Sequence, residues 1–140
     1  MISTGTRPAS ALLLAGLALT ALVGCSSGKG SATTTTLAPE ERISSDADAA
    51  AGLRRLVAAA NVVAAAGTDK AMAKPAIEKL EPIWQAIEGT VKQKEPDQYA
   101  QIEEDLALLD KGADGDASST RKGADDLVRT VDAYLAKHPG

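Results

Sequence analysis

Past Ser45 the chain repeats one pattern four times: apolar residues recur in alternating steps of three and four. The first stripe is Ala49, Leu53, Leu56, Ala60 and Val63; the second is Ile77, Leu80, Trp84, Ile87 and Val91. The third is Tyr99, Ile102, Leu106 and Leu109, and the fourth Thr120, Ala124, Leu127, Val131 and Tyr134. With 3.6 residues per turn, such spacing gathers one apolar face on a helix. No alternating pattern of strand length competes with it. Short polar turns join the four segments, so the expected fold class is all-α, an antiparallel four-helix bundle over 46–140.

The punctuation between the stripes agrees. Ser44, Ser45 or Asp46 can accept hydrogen bonds from the free amides of a helix beginning near Asp46. Gly67 suits its end. Thr68-Asp69 opens the second region, which Pro75 and Pro82 complicate because each lacks an amide hydrogen and crowds the carbonyl four residues back. Pro75 reads as the first residue of the main second helix, after a turn over Ala71 to Lys74. The stripe keeps its phase across Pro82, which favours a bend there over a break at Lys79-Leu80-Glu81. Pro96-Asp97 starts the third helix and Gly112 stops it. Asp116 or Ser118 caps the fourth, which ends at Lys137-His138-Pro139-Gly140 with His138 as a solvated cap.

Aromatic residues are scarce: one Trp, two Tyr and no Phe in 140 residues. The core must therefore be built from Ala, Leu, Ile and Val. An alanine-rich first helix invites close packing against the second, with Trp84 filling the space the alanines leave. Small side chains line large apolar pockets poorly, which argues against a carrier of bulky hydrophobes.

Ahead of the helical region stands a different composition. Arg7 and the amino terminus precede an apolar run, Ala9 to Val23, too short for a spanning helix of about 20 residues. The run ends in Leu22-Val23-Gly24-Cys25, which resembles the bacterial lipobox. The resemblance implies a cleaved signal peptide (1–24), lipidation of the Cys25 thiol by acyl chains of the palmitate kind, and a mature protein that starts at Cys25. It also implies export and anchorage to the outer face of the cell membrane, or to an outer membrane where the host has one. A lone Cys has no disulfide partner in the chain. Residues 25–45 then read as a flexible Gly/Ser/Thr-rich tether, of which about 20 residues reach some 25 Å. Its Thr33 to Thr36 run is a candidate for O-linked sugar, and a solvated spacer is the favoured reading of it.

Charge narrows the partners. With Arg7 removed along with the signal, 14 basic residues stand against 19 acidic ones, a net charge of −5. The basic residues are scattered among acidic ones, so no stripe tracks a phosphate backbone and nucleic acid is not an expected partner. No polybasic cluster follows Cys25, so the lipid is the expected attachment to the membrane.

Candidate chemistry rests on carboxylates. Glu81 and Glu88 lie one position off the second stripe, and Glu103 flanks the third beside Glu104 and Asp105. If those helices are neighbours, Glu81, Glu88 and Glu103 can supply oxygen ligands to a hard metal ion. The competing reading is a charged rim paired with Lys79, Lys92 or Lys94. The single His138 has Leu135 three residues before it, so the Glu-x-x-His pattern of di-iron bundles is absent. The turn Asp110 to Asp116 does not place oxygens and Gly in calcium-loop order. Ser118, Ser119 and Thr120 have no neighbouring base, and no nucleotide-binding glycine loop occurs, so an enzyme is not expected.

The segments Glu81-Pro82-Ile83-Trp84-Gln85-Ala86-Ile87-Glu88-Gly89-Thr90-Val91 and Glu95-Pro96-Asp97-Gln98-Tyr99-Ala100-Gln101-Ile102-Glu103 resemble helical extracytoplasmic modules of bacterial iron uptake, imelysin-like proteins included. The resemblance implies a helical bundle and a role in delivering or sensing a metal outside the membrane. The His-x-x-Glu motif of imelysin-like proteins is missing, so it carries over no ligand. The expected function is an accessory solute- or metal-binding component of an envelope transport system, with an envelope protein as a possible partner. The alternative is a structural or interaction lipoprotein without a small ligand.

Overall fold

The computed structural model describes residues 37–140, which form six α-helices and one 3-10 turn, with no strand among them. Cys25, its lipobox neighbours Leu22, Val23 and Gly24, and the Thr33 to Thr36 run lie outside the described residues. The fold is all-α. Three helices are long: α1 (Asp46–Ala66), α5 (Pro96–Ala113) and α6 (Ala117–Lys137). Between α1 and α5 the chain forms three short ones, α2 (Lys70–Ile77), α3 (Leu80–Gln85) and α4 (Glu88–Lys94).

Side chains cap the starts of α1, α2 and α6. Ser45 accepts from the Asp48 amide at 3.1 Å, and Asp69 accepts from the Ala71 amide at 3.0 Å. Asp116 takes the amides and the hydroxyls of both Ser118 and Ser119, and these hydrogen bonds hold its carboxyl well below the usual range. At the far end of α1, Gly67 has φ of 59°, the left-handed region that glycine adopts without cost.

The second helical region breaks rather than bends. Pro75 does not begin a helix but lies inside α2, which closes at Ile77. The Lys79 amide then turns back to the Ala76 carbonyl at 3.3 Å, a tightened last turn. The break leaves Pro82 third in α3, within the first turn, where a helix has no use for the missing amide hydrogen. A continuous helix would have left the Glu78 carbonyl without its partner. A second break follows at Ala86-Ile87, where the Ile87 amide reaches the Trp84 carbonyl at 2.9 Å.

The core joins α1, the short helices, α5 and α6. Leu53, Leu56, Val63, Trp84, Ile87, Val91, Ile102, Leu109, Leu127, Val131 and Tyr134 are all buried in one cluster. Helices α5 and α6 form an antiparallel pair across a three-residue turn, held very close by glycine. A Cβ at Gly112 would overlap the Thr120 side chain, and one at Gly123 would stand 2.8 Å from the Asp105 carbonyl oxygen. Gly112 is therefore a contact point inside α5, not its stop. The notch at Gly52 on α1 is filled by Ile87, whose side-chain carbon would meet a Cβ at 2.6 Å. Trp84 stacks on Tyr99 of α5.

Two polar features of this packing were not expected. His138 is half-buried, its ring 4.8 Å from that of Tyr134 and its Nε2 3.0 Å from Glu95 Oε1. Asp105 is fully buried between α5 and α6, accepting from Gln101 Nε2 and from Thr130 Oγ1, both at 3.1 Å. Burial raises its pKa above the ordinary 3.8, and the two hydrogen bonds only partly oppose the rise. A carboxyl raised on folding binds its proton more tightly in the native state. Its contribution to stability is thus complete below the ordinary value and is lost as pH climbs through the raised one. Asp105→Asn can keep both partners, because Thr130 Oγ1 can accept from the new amide while donating to the Asp126 carbonyl at 3.1 Å. The variant is expected to be as stable as the parent or more so at pH 7, with a flatter stability profile above pH 4. Urea melts at a series of pH values check this, and an unchanged profile would show that Asp105 ionises freely.

Candidate functional site

The break between α2 and α3 opens a cleft against α5. Its volume is about 350 Å³, and its walls come from Ile77 and Glu78 at the end of α2, Leu80, Glu81 and Trp84 of α3, and Glu103, Leu106, Ala107 and Asp110 of α5. Four carboxylates, from Glu78, Glu81, Glu103 and Asp110, rim an apolar floor, and no basic side chain lines it. A neighbouring depression shares Ile77, Glu78 and Asp110 but also carries Lys70 and Lys74. Uncompensated negative charge is therefore concentrated at the Trp84 end.

Trp84 fixes that end. Its ring stacks on Tyr99 with centroids 5.6 Å apart and planes 25° from parallel, and its Nε1–H donates to Glu103 Oε1. The indole thereby holds one rim carboxylate in place, a positioning that a mobile surface glutamate lacks.

No known protein family, curated protein or solved structure matches this chain. The reading of the site rests on its geometry.

The three glutamates singled out from sequence are placed as follows. Glu103 lies on the rim, bound by Trp84, and Glu81 lies on the rim beside Gln85, whose Nε2 donates to it at 2.7 Å. Glu88 is outside the cleft lining and buried at the start of α4, with 8% of its surface exposed. Burial raises its pKa, and the negative charges of Glu103, Glu81 and Glu40 raise it further, while Arg42 opposes them. The structure thus brings Glu88 within electrostatic reach of Glu81 and Glu103. Among the described residues, however, no group of three acidic, His or Cys side chains has the spacing to hold a metal ion.

Two of the three lysines expected to neutralise this rim, Lys92 and Lys94, pair elsewhere. Lys92 pairs with Glu40 at 2.9 Å and Lys94 with Asp46 at 2.7 Å. Glu40 belongs to a segment that the sequence reading assigned to the tether. Within the described residues, 38–45 instead form a strap across α4, with a 3-10 turn at Pro39–Glu41. The Ser44 amide donates to Thr90 Oγ1 at 2.7 Å, and a Cβ at Gly89 would overlap the Arg42 carbonyl oxygen. The folded part of the chain therefore begins ahead of Asp46. Glu78 and Asp110 were the other residues missed as site members: one reads as exposed, the other as part of a turn, and only the α2–α3 break sets them opposite each other.

Proposed function

We propose that this protein is a lipid-anchored, extracytoplasmic helical protein that binds a cationic solute in the cleft between α3 and α5. In this reading Cys25 carries the lipid, and the domain serves as an accessory binding component of an envelope transport system. One observation supports it above others: four rim carboxylates over an apolar floor, with an indole and no basic residue. In a partly desolvated cleft, such carboxylates attract a cation more strongly than in bulk water. The floor of Ile77, Leu80 and Leu106 suits the methylene part of an organic cation better than a bare ion. A metal ion is the second reading, favoured by the negative charges of Glu103 and Glu81 acting on the buried Glu88, which a bound cation would relieve.

Calorimetric titration of the protein with spermine, and separately with calcium, manganese, iron and zinc, distinguishes the two. Spermine is expected to give saturable heat. Glu103→Gln keeps an acceptor for the Trp84 indole while removing charge, and should weaken binding roughly 10-fold or more, the worth of one charged hydrogen bond. Saturable heat with a metal alone would favour the ion-binding reading. No heat with any of these would leave the interaction lipoprotein without a small ligand as the better account.

A further inference from the structure

The strap and the cleft are joined by an unbroken run of contacts. Glu40 of the strap pairs with Lys92 at 2.9 Å, and Lys92 Nζ sits 5.3 Å from the centre of the Tyr99 ring. Tyr99 stacks on Trp84, and Trp84 donates to Glu103 on the cleft rim. The strap is itself held at two points with strict geometry. At Gly89 only a hydrogen fits beneath the Arg42 carbonyl, and the fully buried Thr90 takes the Ser44 amide and lies 2.9 Å from the Ser44 hydroxyl.

We propose that docking of the strap 38–45 on α4 and occupation of the cleft by a cation are coupled, each favouring the other. The inference rests on the cleft being a cation site. Its sign follows from charge: docking sets a strap of net charge −1, Glu40 and Glu41 against Arg42, beside Glu88, where Glu40 adds repulsion that Arg42 only partly opposes, and a cation in the cleft offsets that added negative charge. Lys92, placed by Glu40, also holds Tyr99 against Trp84 and so steadies the indole that orients Glu103. Binding free energies couple reciprocally, so a cation that tightens the strap must bind more tightly when the strap is docked. The strap is where the amino-terminal segment enters the domain, so tension or a partner acting there would reach the cleft.

Two variants of the full chain test the coupling. Gly89→Ala lifts the strap without weakening α4, because Ala favours a helix more than Gly does. Thr90→Val removes the hydroxyl that holds Ser44 while keeping the side chain's shape. Hydrogen exchange at the Ser44 amide reads strap docking, spermine titration reads the cleft, and fluorescence reads Trp84 alone, as it is the single tryptophan. In the parent protein, spermine is expected to slow Ser44 exchange. Both variants should exchange Ser44 rapidly, shift the Trp84 emission and bind spermine about 5-fold or more weakly, the lower end of measured couplings. Released straps with unchanged spermine affinity and emission would overturn the coupling and leave the cleft reading intact. A parent protein that does not bind spermine overturns the cleft reading, and the coupling with it. Slow Ser44 exchange in both variants would show that Gly89 and Thr90 do not hold the strap, which also overturns the proposal.

Discussion

Trp84→Ala is expected to lower folding stability by about 3–5 kcal/mol, the range for removing a large aromatic from a packed core. The expectation rests on what surrounds the ring. Trp84 is 2% exposed and is the bulkiest side chain in a core with little else that is large. The core around it includes Ala60, Ala76 and Ala124, which cannot swing into a cavity as a leucine or methionine can. Stacking on Tyr99 adds about 0.5–1.5 kcal/mol beyond burial. The substitution also strips Glu103 of its indole donor. Trp84→Phe, which keeps most of the volume and the stacking, should cost less than half as much. Urea melts followed by far-ultraviolet circular dichroism measure both. A loss of under about 1 kcal/mol for Trp84→Ala would show that the site collapses or that the ring is not a core group.

Much of this core was legible before the fold was known. All five residues of the α1 stripe are buried, and so are all five of the α6 stripe. In both helices the period is undisturbed by proline, and a long regular helix needs only one apolar face to find the core. The middle of the chain was less legible. Phase continuity across Pro82 pointed to one bent helix, yet two short breaks preserve the same phase while reorienting the backbone. Ile77 and Leu106, which fell on stripes, are only partly buried because they line the cleft that the first break creates.

The polar features escaped for a different reason. Asp105 sits beside a stripe position and its sequence neighbours are acidic, so it reads as surface charge. Its burial depends on how closely Gly123 brings α6 to that turn of α5, which no local pattern reveals. The strap likewise looks like linker by composition. What holds it is Gly89 and Thr90, 46 residues on from Ser44 in the case of Thr90. The cleft needed both breaks and contacts: Glu103 was singled out as a stripe-edge carboxylate, while its tie to Trp84 came from the stacking of that ring on Tyr99.

Cys25→Ser is expected to abolish stable membrane attachment of the mature protein. The argument is chemical at the anchor and energetic at the bilayer. In the proposed anchor a thiolate would be the nucleophile that forms the thioether to the lipid, and a serine hydroxyl is far less readily ionised, so the substitution would remove the acceptor itself. Each buried methylene contributes about 0.8 kcal/mol, and two or more acyl chains are needed for stable anchoring because one binds only marginally. Little else after Cys25 would compensate. The sequence there has no polybasic cluster to hold an anionic surface. Among the described residues one helix, α1, is long and apolar enough to cross a membrane, and its Ala49, Leu53, Leu56, Ala60 and Val63 are buried in the core. Fractionation should find the parent chain with membranes, and the Cys25→Ser chain either uncleaved with its signal or released. Mass spectrometry separates those two products by the presence of residues 1–24. An unmodified Cys25 in the native protein, or membrane association that survives the substitution after cleavage, would remove the lipid from this account and leave the cleft to be explained without an anchor.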